Sequence, residues 1–237
     1  RGPAFSRSAW RARRATAHLI GIILMPTDAA LDTQTLALVR LAAAIAAGDE
    51  PAMRQLMAAA VKAEVEVQWV EELLLQSILM AGYPRALVAF GLWRKVSGAV
   101  APAEDADAEY ARLAQWEARG EETCTRVYGG NYAKLRRNVR DLHPAVDRWM
   151  LVEGYGRTLG RPGLDLMRRE LCTVAQTAVL RTERQLHSHL RGALHSGASF
   201  DQVEAVLGVV NQLLGHEEWK EVKELWAVVR AGWTQEG

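Results

Sequence analysis

Glu170, Thr182, Gln185 and His189 are spaced so that their side chains could meet on adjoining helices and move protons. An imidazole takes up and releases protons near neutral pH, which suits His189 to general acid/base work. A carboxylate beside it, such as Glu170, would fix its tautomer. Gln185 lies one turn before His189 on the same helix face. There it would offer an N–H to a developing oxyanion. Simpler accounts stand beside these. Thr182-Glu183-Arg184-Gln185 fits a capping box, the preferred reading of Thr182 and Gln185. His189 and Glu170 could pair for packing alone, although a functional His189 is favoured.

The elements that must position these residues occur twice. Leu31-Asp32 lies over Leu164-Asp165 at an offset of 133 residues, and the register holds without a gap. Leu38 then meets Leu171, Ala42 meets Ala175, Glu50 meets Glu183 and Ala60 meets Ala193. Val70-Glu71 meets Val203-Glu204, and Gly82 meets Gly215. A fixed offset of this kind marks a duplicated helical unit. Where the second copy has Glu170, Thr182, Gln185 and His189, the first has Ala37, Asp49, Ala52 and Leu56. One copy reads as a scaffold and the other as a site.

Apolar spacing predicts helix almost throughout. Residues 33–47 form the first helix, ended by Gly48, and Asp49 caps the next, which runs to about Ala63. A third starts near Gln68 and breaks at Ala81-Gly82-Tyr83-Pro84, and a further helix follows to about Val96. Residues 98–108 read as a linker, Glu109–Arg119 as a solvated helix closed by Gly120, and 128–131 as a turn. His143-Pro144 opens a helix through Trp149, and Arg161-Pro162-Gly163 is a strong turn. In the second copy Leu164–Arg181 and the segment from Thr182 to Gly197 are helical. Ser199-Phe200-Asp201-Gln202 is a second capping box, and residues 217–231 carry Trp219 and Trp226 on one stripe. No segment alternates as a strand would. The expected fold class is all-α, two tandem related helical bundles. The expected divisions are a basic tail over 1–24, a first copy over 25–100, a linker with helix over 101–142, and a second copy over 143–237.

Composition narrows the function classes. The 237 residues carry 29 Lys+Arg against 28 Asp+Glu, a net charge of +1, which argues against a general nucleic-acid binder. Positive charge collects at Arg1, Arg7, Arg11, Arg13 and Arg14, ahead of a short apolar run, Leu19–Met25. That run is too short to span a bilayer. Residues 1–24 read as an upstream extension or mobile tail before a natural start at Met25, rather than as a leader. Cys124 and Cys172 form neither a CxxC nor a ligand cluster, which suits a reducing cytoplasm. No metal or other cofactor and no membrane partner is expected. His187 and His195 read as exposed, and neighbours two apart on a helix do not share a face.

Three segments resemble the carboxymuconolactone decarboxylase family, which shares a superfamily with the alkyl-hydroperoxidase D proteins. One is Tyr155-Gly156 with Arg161-Pro162-Gly163-Leu164-Asp165. The next runs from Arg169-Glu170-Leu171 and Val174-Ala175 through Gln185-Leu186, His189 and Ala193 to Gly197-Ala198-Ser199. The last lies in the first copy, Glu72-Leu73-Leu74-Leu75-Gln76 followed by Ala81-Gly82-Tyr83-Pro84-Arg85-Ala86-Leu87.

The resemblance implies an all-helical fold that assembles into rings, here a trimer of two-copy chains. The peroxidase branch carries Glu, eleven residues, Cys-x-x-Cys, three residues and His. Glu170 and His189 match, but Thr182 and Gln185 replace both cysteines, so no thiolate is available to attack a peroxide. The decarboxylase branch implies a cofactor-free lyase acting on a small carboxylated lactone or related carbonyl compound. In it His189 and Glu170 would relay the proton, with Gln185, Arg161, Arg169, Tyr83 and Arg85 binding substrate. Two departures stand. That branch usually has a small polar residue in place of Glu170. Its Gly-x-Pro segment after the His-bearing helix is present only in the first copy, as Gly82-Tyr83-Pro84, which allows a composite site. A non-catalytic oligomer of the same fold is the alternative.

Overall fold

The computed structural model describes residues 30–236, so the expectations for residues 1–24 lie outside it. The first copy contains α1 (Thr33–Ala47), α2 (Glu50–Lys62) and α3 (Val67–Ser97). The joining segment contributes α4 (Leu113–Tyr128) and α5 (Tyr132–Leu142), each preceded by one short 3-10 turn. The second copy follows as α6 (Pro144–Trp149), a π-helix over Met150–Leu159, α7 (Leu166–Val179), α8 (Glu183–His195), α9 (Phe200–Asn211) and α10 (His216–Glu236). No strand occurs among the described residues, so the chain is all-α.

The duplication persists in atomic detail. Asp32 and Asp165 each cap their helix by accepting a backbone N–H three residues on. Left-handed backbone recurs at matching places: Gly48 (φ 73°) with Arg181 (φ 58°), and Glu64 (φ 53°) with Gly197 (φ 98°). Trp93 donates its indole N–H to Glu71 at 3.0 Å, and the equivalent Trp226 donates to Glu204 at 3.1 Å. Each glutamate also holds an arginine, Arg94 in the first copy and Arg230 in the second.

The copies meet through their first helices, α1 against α7. Thr35 and Arg168 are equivalent residues, and the Arg168 Nε donates to Thr35 Oγ1 at 2.8 Å. Contact between a residue and its own counterpart locates the pseudo-two-fold axis there. Around it, Gln76 of α3 donates to the Arg169 carbonyl at 3.2 Å, and Gln176 of α7 donates to Ser77 at 2.8 Å. The main core surrounds this junction and includes Leu38, Leu41, Ile45, Leu73, Leu171 and Leu190.

The break expected at Gly82 is a kink inside α3, where Gly82 takes φ 79° and ψ 162°. Positive φ favours glycine. The α3 helix is long and apolar enough to cross a membrane by length and composition. It packs instead against α1, α2 and α7, with Val70, Leu73, Leu74 and Trp93 in the core.

The joining segment differs from expectation. The solvated helix closed by Gly120 is a packed helix that continues to Tyr128, with Trp116, Gly120, Cys124 and Val127 buried. Gly120 does not end it, because its bare Cα lets the π-helix backbone cross. A Cβ there would collide with the Leu151 carbonyl, and one on Gly156 would collide with the Trp116 carbonyl. A second, smaller core forms at this crossing from Cys124, Val127, Leu151, Tyr155 and Leu159.

Candidate functional site

Glu170 lies in the middle of α7 and His189 in the middle of α8, consecutive helices that pack against each other. His189 Nδ1 stands 2.8 Å from Glu170 Oε2. The glutamate side chain is fully buried and the imidazole keeps 7% exposure. A carboxylate can only accept, so Nδ1 carries the proton and the Nε2 lone pair is left for chemistry. The approach depends on Gly192, where a Cβ would stand 2.5 Å from Glu170 Oε2. The other carboxylate oxygen, Oε1, has no hydrogen-bond partner among the protein groups.

Two residues of the surroundings come from α4 and one from the π-helix. Tyr155 donates its hydroxyl to that of Tyr128 at 3.2 Å, and the rings meet edge to face. Burial, reinforced by the Glu170 charge, holds both phenols above their usual range, Tyr128 at about 12. Burial likewise pushes the Cys124 thiol up to about 12, with a smaller contribution from Glu170. Cys172 sits on the α7 face in the main core, its thiol also raised to about 12 by burial. Neither sulfur is a ready nucleophile.

The other residues singled out from the sequence lie elsewhere. Thr182 makes no cap bond; its hydroxyl donates to the Thr177 carbonyl at 3.2 Å, so the capping box is absent. Thr177 lies two residues before the end of the preceding helix, and its carbonyl takes the hydroxyl that a cap would use. Gln185 is exposed. The Ser199–Gln202 box is present with both reciprocal bonds.

The three arginines are engaged by protein groups. Arg169, wholly buried, donates to Glu72 at 2.7 Å and to the carbonyls of Leu164 and Arg161. Arg161 grips Glu72, Asp105 and Asp107, tying the 98–109 stretch to both copies. Arg85 donates to the Ala46 carbonyl and packs against Gly48, at the end of α1. Tyr83 is 64% exposed and lines, with Arg161, Tyr110 and Trp149, a cavity of about 510 Å³. Neither Glu170 nor His189 is in the wall of that cavity.

The sequence reading missed the role of His195. Its Nδ1–H donates to the Val127 carbonyl at 2.8 Å, and its ring lies 4.7 Å from that of Trp233 at a tilt of 47°. It is half-buried and lines, with His187, a cleft between α5 and α8. The partner lies in α4, beyond reach of any local sequence signal. Among the described residues no group of three or more His, Cys, Asp or Glu is placed to hold a metal ion.

A tandem all-helical chain with one copy's positions turned polar around a buried Glu–His pair belongs to a recognisable class. The profile of the carboxymuconolactone decarboxylase family matches residues 11–95 and 144–235, more than half of the chain, and the chain belongs to that family. The two matched regions fit a two-copy arrangement, and the unmatched stretch between them contains α4 and α5. No curated protein sequence matches the chain.

Proposed function

We propose that the chain is a cofactor-free, lyase-like enzyme acting on a small carboxylated lactone or related carbonyl compound. The observation that carries this reading is the buried 2.8 Å bond between Glu170 and His189, in the one copy that has these residues. In the reaction the bond to the substrate carboxylate breaks and CO2 leaves. The electron pair enters the lactone carbonyl as an enolate. His189, its Nε2 lone pair having first taken a proton from solvent, delivers that proton to the carbon and returns to the neutral imidazole, while Glu170 stabilises the transient imidazolium and keeps Nδ1 protonated. Burial of the pair strengthens that interaction. The ion pairs of Arg161 and Arg169 and the helix-end contact of Arg85 leave them structural roles in this scheme, and Gln185, being exposed, is not required by it.

A second reading, a non-catalytic protein of the same fold, is favoured by one observation. Neither Glu170 nor His189 lies in the wall of the described cavities. The test is turnover of γ-carboxymuconolactone followed by ultraviolet absorbance. The proposal expects turnover by wild type that is lost in His189→Gln. An inactive wild type would favour the non-catalytic reading.

Assembly into a trimer of two-copy chains belongs to the same proposal. Leu79, Tyr83, Leu87 and Trp149 remain exposed on α3 and α6, at 39%, 64%, 65% and 64%. Such a set suits a contact between copies. Light scattering on the purified chain distinguishes trimer from monomer.

A further inference from the structure

Neither Glu170 nor His189 borders a described cavity, so a reaction at His189 needs a way in. Ser188, the residue before His189, lines the cleft of about 420 Å³ between α5 and α8, and Tyr128 of α4 lines it too. Val127 belongs to the same wall. Its Cγ1 lies 2.7 Å from the point where a Gly192 Cβ would stand, and Glu170 Oε2 lies 2.5 Å from that point. Here one layer of side chains separates the cleft from the pair.

Tyr128 is the member of that layer best placed to move. It is half-buried, and its hydroxyl accepts from that of the buried Tyr155 at 3.2 Å. That is long for an O–H···O bond, so little is lost on opening it. The rings meet edge to face, with centroids 6.0 Å apart. Tyr128 is also the last residue of α4, and Gly129, with φ 52°, and Gly130 follow it. Two glycines at a helix end give the last residue backbone freedom. On the inner side, the Glu170 charge acts on both phenols and on the Cys124 thiol, which places the two hydroxyls near the carboxylate. Glu170 Oε1, buried and without a hydrogen-bond partner among the protein groups, is an acceptor left for whatever enters.

We propose that Tyr128 controls entry to His189. The cleft is the vestibule of the site, and it joins the Glu170–His189 pair when the Tyr128 hydroxyl leaves Tyr155 and the ring swings aside. Gating of this kind keeps bulk water from a buried proton donor while admitting a small molecule. Tyr128 lies between the two regions matched by the family profile, so this role belongs to the joining segment of this chain. The inference rests on His189 as the reacting group, but its test needs no turnover, so an inactive enzyme and a wrong gate give different results.

The test is the rate at which diethyl pyrocarbonate modifies each histidine of the full chain at neutral pH, read by peptide mass spectrometry. This small electrophile acylates an unprotonated imidazole nitrogen. In wild type His189 should react much more slowly than His187, which lines the open cleft. Tyr128→Phe keeps the ring and loses one neutral hydrogen bond, so His189 should react about fivefold faster. Tyr128→Ala removes the ring and should speed His189 further, with His187 unchanged. Cys172 lies in the main core and should resist iodoacetamide in Tyr128→Phe. A wild-type His189 as reactive as His187 overturns the proposal, as does an unchanged His189 rate in either variant. Labelling of Cys172 together with His189 in Tyr128→Phe overturns it too, because the core would then have loosened as a whole.

Discussion

Gly192 lies so close to Glu170 that a Cβ on it would stand 2.5 Å from the carboxylate oxygen that bonds His189. The same Cβ would press on Val127 of α4, at 2.7 Å. A single missing methyl therefore lets α8 settle onto α7 and α4 and close the hydrogen bond. Gly192→Ala should force the carboxylate aside and cost about 1–3 kcal/mol by overpacking. Urea denaturation measures the stability loss. Nitrogen-15 shifts of the His189 imidazole should show loss of the fixed Nδ1–H tautomer. An unaltered tautomer and full stability would show that the pair does not depend on this approach.

Glu72 balances Arg169, which has no exposure, and Arg161. Removing the carboxylate while leaving the buried guanidinium is expected to cost about 3–5 kcal/mol. Glu72→Gln should therefore shift the urea midpoint far down, with its slope unchanged. Because Arg161 also binds Asp105 and Asp107, the 98–109 stretch should become more open to proteolysis in the same variant. A midpoint near wild type would remove the network from the account of stability.

Asp147 is buried between Arg136 and Arg140, and its hydrogen bonds to Arg136 hold its carboxyl below the usual range. A carboxyl whose pKa is lowered by folding contributes stability above its unfolded value of about 3.9 and loses it as pH falls through the folded value. Asp105, held low by Arg161, acts in the same direction. Tm should hold between about pH 5 and 7 and then fall below about pH 4. In Asp147→Asn the Tm should start lower and fall less steeply over that acid range. An equal acid slope in wild type and variant would rule Asp147 out as a source of it.

Both cysteines are buried with thiols raised to about 12, so the folded chain should resist alkylation. Iodoacetamide at neutral pH should label neither residue until denaturant is added, when both should react. Rapid labelling of the native protein would return weight to a thiol-based activity.

Helical class, the 133-residue register and the Glu170–His189 meeting were all legible in the sequence, because each depends on spacing within or between consecutive helices. The α3 kink was legible too, since Gly82-Tyr83-Pro84 cannot continue a regular helix. The joining segment was not legible. The packed α4 shows itself only through its crossing with the π-helix, where Gly120 and Gly156 act as contact points and not as helix breakers. Thr182 looked like a cap from its neighbours, but its hydroxyl turns back to Thr177. The engagement of Arg161 and Arg169 by Glu72 was not legible either, because that carboxylate lies 89 and 97 positions earlier in the chain. His195 was hidden for the same reason, being fixed by a carbonyl 68 positions earlier.

The most direct test of the proton-relay claim is a double-variant cycle on turnover of the carboxylated lactone, comparing His189→Gln, Glu170→Gln and both together. If the two side chains act as one unit, each single change should lower kcat by about 10²–10⁴, and the double variant should be no worse than the worse single one. Losses that multiply, or a His189→Gln enzyme that keeps wild-type turnover, would contradict the account.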